Sequence, residues 1–481
     1  MEKGVDRGRE GAPAGHHGRQ AALGSVHTGP GPSGATHYRP SSDVGYTGIM
    51  PIEPEAPSHA SPGAAASSPP FAQWGDSPCA TGCDLRRDCA RYRHPRVRDI
   101  AWLLSAPDLL QLARYPRPSL AALGLEDDHV RHRWLMTLEQ APHALEAAVN
   151  ERRHYRLGHY HELLWQFVLA YAPGSRLLVN NLRISQGKIT LGELDMLYLA
   201  AQDTAPTHLE VAIKFYLGLP EGPEAADSPA RWIGPGGADS LAIKYQRSLE
   251  HQLPLAYTER GQQTIRQALT RQALTRQALA TQAGASEMNP PPTEDPSAPL
   301  LAGQQLALPG CLFRPWQPDQ APADWLPPPR HCHPESARQA GWWMSVNQFA
   351  AFCQTLEASP RHEGPLLGCV REKPAWLAAP PVASLQPWHE LDRWLRDHFV
   401  PPGAADDLRP DEPVVQEAAA QQHSHQRTHQ HPRQLWLERS VAAPDGEPTT
   451  ASTPRQQWRI FVVPDDWPSF IPLPPPPPAA Q

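Results

Sequence analysis

Apolar residues along this chain recur first at helical spacing and then in strand-like runs. In "HPRVRDIAWLLSAPDLL", Val97, Ile100, Ala101 and Leu104 return every one to three positions on one helical face. "DHVRHRWLMTLEQAP" and "PHALEAAVNERRHYR" predict two further helices. "GHYHELLWQFVLAYAPG" predicts a fourth, with Tyr160, Leu163, Leu164, Phe167, Val168 and Tyr171 on its apolar face and Pro173-Gly174 ending it. Three strands follow: "SRLLVNNLRIS", "ITLGELDMLYLA" and "THLEVAIKFYLG". The turns "QGK" and "QDTAP" between them predict an antiparallel meander. "GADSLAIKYQRSLEHQL" reads as a helix capped by Asp239 or Ser240, with Leu241, Tyr245 and Leu249 on one face.

"TIRQALTRQALTRQALATQAG" repeats a five-residue unit, which wraps apolar residues around a helix axis instead of gathering them into a stripe. It reads as an inserted repeat, helical or disordered. "LALPGCLFRPW" and "GWWMSVNQFAAFCQTL" predict strands followed by a helix, and "RQLWLERSVAA" pairs with "RQQWRIFVVPDDWP" as a hairpin. The resulting scheme is a disordered tail (1–92), a helical lead-in and α/β core (93–255), a low-complexity linker (256–302) and a C-terminal α/β region (303–402). A disordered insert (403–431), the hairpin (432–470) and a Pro-rich polyproline II tail (471–481) complete it.

Composition sharpens this division. The 481 residues include 58 prolines and 33 glycines, unevenly spread, so only about 250–300 residues are expected to be ordered. A net charge of −7 gives no global attraction to nucleic acid; such binding needs a local basic patch. The N-terminus lacks the apolar stretch of a signal peptide, and no window approaches a membrane span, which predicts a soluble, cytoplasmic protein with no membrane partner. Seven cysteines, an odd number, fit reduced thiols. No Gly-rich phosphate loop precedes a helix: "GPGG" at Gly234–Gly237 lacks the following Lys-Ser/Thr. There is also no G-x-S-x-G elbow.

The strands carry the candidate chemistry. Residues two apart on a strand share a face, so Glu193 points with Asp195, and His208 and Glu210 point with Ala212 and Lys214. If the strands pair, Asp195 comes near the second set. Carboxylates converging beside a lysine suit Mg²⁺ or Mn²⁺, which activates water and offsets phosphate charge. A solvated strand face with cross-strand ion pairs is the structural alternative. The preceding helix adds Glu162 and Gln166, one turn apart.

Helix with Glu, strand, strand with Asp, strand with Glu and Lys, then helix resembles the PD-(D/E)XK nuclease-like layout. The wording of "HPRVRDIAWLL", "LGELDMLYL", "HLEVAIKFYLG", "WIGPGGADSLAIK", "GWWMSV", "KPAWLAA" and "RIFVVPDDWP" resembles an uncharacterised bacterial family, domain of unknown function 1853, over about residues 93–470. The nuclease resemblance implies a restriction-endonuclease-like α/β fold, a mixed sheet flanked by helices, with a C-terminal α/β extension. It implies a catalytic set of Asp195, Glu210, Lys214 and Glu162, with Asp195, Glu210 and Glu193 as metal ligands, and hydrolysis of phosphodiester bonds in DNA or RNA. The acid expected two positions before the lysine is Ala212, so Glu210 substitutes for it. That departure keeps open a second reading, a nuclease-like fold that has lost catalysis and serves as a binding or scaffolding module. Lys244, Gln246 and Arg247 stand where related nucleases contact phosphate; a solvated helix face is the plainer reading.

Cys79, Cys83, Cys89 and His94 make a C-x3-C-x5-C-x4-H array with enough ligands for tetrahedral zinc, which raises a zinc-dependent adaptor as a third reading. Oligomeric state has no sequence signal.

Overall fold

The computed structural model describes residues 89–150, 156–282, 300–318, 320, 324–399, 431–441 and 455–473. Residues 1–88 of the N-terminal tail, with Cys79 and Cys83, the 403–430 insert and residues 474–481 of the Pro-rich tail lie outside them; Cys89 and Tyr92, read as the end of a disordered tail, are instead buried in a core because their side chains pack against the first helices. The architecture is mixed α/β: two mixed sheets flanked by helices.

The smaller sheet has the order β1 (Ser175–Gln186), β2 (Ile189–Ala200), β3 (Thr207–Val211) and β6 (Gly303–Ala307). β1, β2 and β3 form the expected antiparallel meander, and β6 joins β3 in parallel. The larger sheet runs β10 (Gln386–Pro387), β9 (His362–Arg371), β11 (Arg433–Val441), β12 (Arg455–Val463), β8 (Gly341–Ser345), β7 (Gly310–Pro315), β4 (Lys214–Gly218) and β5 (Trp232–Ile233). β11 and β12 pair as the hairpin read from sequence.

The run "THLEVAIKFYLG" is one strand in sequence but two in space. It breaks at Ala212 and Ile213, and its halves enter different sheets. The parallel partner bends with it: Thr207 pairs Gly303 before the break and Lys214 pairs Gly310 after it, an offset of 96 residues on both sides. Ala212 N–H donates to Ala307 O (2.9 Å) and Lys214 N–H to Pro309 O (3.2 Å), so hydrogen bonding continues through the bend. Alternation survives too. Leu209, Ile213, Phe215 and Leu217 face one core, while His208, Glu210, Ala212, Lys214 and Tyr216 alternate with them. The close approach needs glycine at position 310, where a Cβ would meet Lys214 O at 1.8 Å.

That core is built from the helices Pro95–Ser105 and Leu157–Tyr171 against β2, β3, β4 and β7. The second helix buries Tyr160, Leu164, Trp165, Phe167 and Val168; Tyr171, assigned to its apolar face by spacing, is instead 57% exposed at the helix end. The larger sheet has its own core under the helices Val346–Ala358 and Trp388–Phe399. The pentad repeat forms the helix Glu259–Gln282, which lies along β1 and donates from Gln272 Nε2 to Leu178 O (2.6 Å). Among the described residues, no helix is long and apolar enough to cross a membrane.

Candidate functional site

β2 and β3 part company at two carboxylates. Their ladder pairs Tyr198 with Thr207, Leu197 with His208 and Met196 with Leu209. One step further Asp195 meets Glu210, and there the ladder stops. The Asp195 side chain takes over, its Oδ2 accepting from Val211 N–H at 2.9 Å. A side chain has replaced a backbone acceptor, and the strands fork around it.

Behind the fork runs a buried polar chain. Gln304 Nε2, on β6, donates to His208 Nδ1 (3.0 Å), which places the imidazole proton on Nε2, 3.0 Å from Glu210 Oε1. Gln252 Nε2 donates to Glu210 Oε2 (2.9 Å), and its Oε1 accepts from Lys244 Nζ (2.8 Å) and Ser248 Oγ (3.3 Å). His208 and Glu210 are 0% and 1% exposed. The helix Leu241–Arg247 brings Lys244 here; Ser240 Oγ caps it by accepting from Ile243 N–H, which settles the choice between Ser240 and Asp239. A π turn, Ser248–Gln252, then widens the helix and returns Gln252 to Glu210; Pro254, without an N–H, lies just beyond it.

The electrostatics follow from burial. Desolvation, with the adjacent Glu210 carboxylate adding to it, pushes Asp195 up to about 8; desolvation pushes Glu210 up to about 7, against the pull of Lys244. The Glu210 charge raises Asp195, so protonation of one acid favours ionisation of the other. Burial lowers His208 to about 4, so its imidazole is neutral. Burial also lowers the Lys244 ammonium, which Glu210 and Asp195 oppose.

The other sequence candidates fall around this centre. Glu162 accepts from Gln166 Nε2 (3.1 Å) and from Asn181 Nδ2; Gln166 also bonds Asn180 and Asn181. In the β1–β2 register Asn181 stands opposite Asp195, so this amide cluster borders the fork, and the Glu162 charge raises both carboxyls. Glu193 shares a strand with Asp195 but lies across from Arg183. Lys214 sits at the start of β4 with Nζ on Asp239 Oδ2 at 2.5 Å, one-third exposed. Gln246 is half-buried and Arg247 exposed on the Lys244 helix. Cys89 is buried in the first core, and His94 Nε2 stands 3.0 Å from Glu146 Oε1. Among the described residues, no group of three or more His, Cys, Asp and Glu side chains is arranged to hold a metal ion.

Sequence reasoning missed Gln252 and Gln304 and favoured a solvated face for Lys244. Pro254 was the only local signal for the turn that recruits Gln252. Nothing in "LAGQQLALPG" distinguished Gln304 from Gln305.

Residues 98–419 match the family described as domain of unknown function DUF1853. The chain belongs to that family. No curated protein and no solved structure matches it. In this DUF1853 chain the matched span contains the fork, both lysines and the amide cluster.

Proposed function

We propose that this DUF1853 chain is a metal-dependent phosphodiesterase acting on DNA or RNA, with the PD-(D/E)XK-like logic of paired acids on adjacent strands. The observation that carries the reading is the Asp195–Glu210 pair at the fork, both held above the usual carboxylate range by burial and backed by Lys244 through Gln252. A structural ion pair would set an acid against a base; here two acids adjoin, an arrangement that favours a bound cation. Mg²⁺ or Mn²⁺ fits this donor set, since such ions are commonly held by one or two carboxylates plus substrate phosphate oxygens and water. Asp195 and Glu210 would hold it, with Glu193 and Glu162 adjoining. When bound, the ion supplies an activated water and offsets phosphate charge.

The chain's own residues do the rest. His208 and Gln252 each donate to one Glu210 oxygen and fix the carboxylate plane. Asp195 is held by Val211 N–H, and Glu162 by the amides bordering the fork. Lys244, held by Gln252, would take the role that the motif reading gave to Lys214, orienting the attacking water or stabilising charge on the phosphoryl oxygens. Lys244→Ala is expected to lower turnover about 10²-fold, the scale of removing one charge-stabilising donor, without unfolding the chain.

Calorimetric titration of Mn²⁺ into the full chain and into Asp195→Ala tests the reading. Saturable binding lost in the variant, with cleavage of single- or double-stranded substrates by the wild type, is expected. Absence of both Mn²⁺ uptake and cleavage would sink it. One observation favours the non-catalytic alternative, a binding module on the same fold: the motif lysine, Lys214, is already engaged by Asp239.

A further inference from the structure

The helix built by the pentad repeat, Glu259–Gln282, carries Arg260, Arg266, Arg271 and Arg276, and its single acid is Glu259 in the first turn. It supplies the local basic patch that a chain of net charge −7 needs to hold nucleic acid. Its inner face is already covered. Ile265 and Leu269 pack into the small-sheet core, and Gln272 Nε2 donates to Leu178 O on β1, the edge strand of that sheet (2.6 Å). All four arginines are exposed. Arg260 Nη1 donates to Gln263 Oε1 (2.9 Å) and Arg266 Nη2 to Gln262 Oε1 (3.5 Å), both neutral amides of the same helix. Among the described residues none of the four has a carboxylate within ion-pair distance.

Helix geometry sorts these cations. Arg260 and Arg271, eleven residues apart, return to within about 20° of each other around the axis, and Arg266 falls on the other flank of the outward face. Gln263, Gln267 and Thr270 lie exposed between the flanks. An anionic bilayer takes a helix whose apolar face is free to enter it; here that face is buried on the sheet, and Leu274 is the large apolar side chain left exposed. Cations on two flanks with amides between them suit two rows of phosphate. A helix with its side chains is about 10–12 Å across, close to the roughly 12 Å width of the B-DNA major groove.

We propose that the outward face of the helix Glu259–Gln282 docks on duplex DNA, with Arg266 on one phosphate wall of a groove and Arg260 and Arg271 on the other. The Gln272 contact lies three β1 positions, about 10 Å, from Asn181, which stands opposite Asp195. A docked duplex therefore lies beside the fork. The proposal rests on the phosphodiesterase reading for what happens there, but its own claim is binding.

The test is fluorescence anisotropy of a labelled duplex DNA oligonucleotide with the full chain, in EDTA to prevent cleavage, across a salt series. The triple variant Arg260→Gln/Arg266→Gln/Arg271→Gln should weaken binding about 10–100-fold at low salt and reduce the salt-dependence slope by roughly 2.7, the loss of three phosphate contacts. Arg266→Gln alone should reduce the slope by roughly 0.9. Replacing the same three arginines by lysine should retain affinity. Arg393→Gln, exposed on the helix Trp388–Phe399, should change nothing. Equal affinity and slope in wild type and the triple variant overturns the proposal. So does arginine-dependent binding to phosphatidylserine vesicles without duplex binding.

The two ideas fail separately. Arginine-dependent duplex binding without Mn²⁺ uptake or cleavage leaves the docking face standing and removes the hydrolase. Mn²⁺-dependent cleavage with unaltered duplex binding by the triple variant does the reverse.

Discussion

Two buried strand glutamates, Glu210 in the small sheet and Glu438 in the large one, show two uses of the same side chain. Glu438, 4% exposed on β11, accepts from Arg455 Nη1 and Gln457 Nε2 on β12, so its charge meets a guanidinium across the ladder. Glu210 accepts from two neutral donors and adjoins a second acid. The first arrangement closes an electrostatic account locally, whereas the second leaves one open. An open one is expected where an external cation completes the site, and the surrounding polar chain holds the geometry ready for it.

The contrast extends to what carries stability. Next to Glu438 lies a core of Trp342, Phe349, Phe352, Leu391, Leu435 and Ile460, all nearly inaccessible. Phe349→Ala there should cost about 3–5 kcal/mol, the largest loss expected of the substitutions compared here, read by denaturant unfolding. If it costs less than a fork substitution, the division between a stabilising sheet and a reactive one is wrong.

The glutamates themselves give the next effect. Glu438→Gln removes a charge-assisted contact to a partly exposed arginine and should cost about 1 kcal/mol. Glu210→Gln removes a charge that burial disfavours and should stabilise the metal-free chain at pH 8. Its pH dependence has a definite sign. Asp195 and Glu210 have folded values near 8 and 7, above the usual unfolded values of about 3.9 and 4.3. Between pH 4 and 8 the folded state therefore holds protons that the unfolded state has released, and stability falls as pH rises through that window. Relative to Asp195→Asn, the wild type in EDTA should lose stability from pH 5 to 8, by less than the one-proton limit of about 1.4 kcal/mol per pH unit. A parallel pair of pH curves would show that the fold does not hold Asp195 protonated.

The elements around both glutamates were legible in the sequence because each follows a local rule. Apolar spacing marked the helix Leu157–Tyr171, the turns marked the meander, and the paired apolar runs marked β11 and β12. The pentad repeat shows both the reach of such a rule and its limit. Five residues advance about 140° around a helix. Ile265 and Leu269 therefore reach the small-sheet core, and Leu274 comes out 61% exposed. Sequence predicted the wrapping but not that the first turns would find a strand to cover. The bend at Ala212–Ile213 was invisible for a different reason: alternation continues through it, so no residue signals that the strand changes sheets. Asp195, Glu210 and Glu162 were named from sequence because local spacing placed them. Gln252, Gln304 and the inward turn of Lys244 depend on contacts between distant segments, which spacing cannot encode.

The same bend separates the two lysines and produces the smallest effect. Lys214 and Asp239 are each about one-third exposed, and an ion pair so open to water contributes roughly 0–1 kcal/mol. Lys214→Ala should therefore unfold within about 1 kcal/mol of wild type. Asp239 would lose a partner but keep the nearby Tyr216 hydroxyl at 3.4 Å and its loop hydrogen bond, Gly234 N–H to Asp239 O. If Lys214 serves only its ion pair with Asp239, the variant binds Mn²⁺ and turns over as the wild type does. If it is instead the water-orienting lysine of the original motif, oligonucleotide affinity stays and turnover collapses. A large stability loss would contradict both roles, because it would make the Lys214–Asp239 pair a structural clamp at the point where the strand crosses from one sheet to the other.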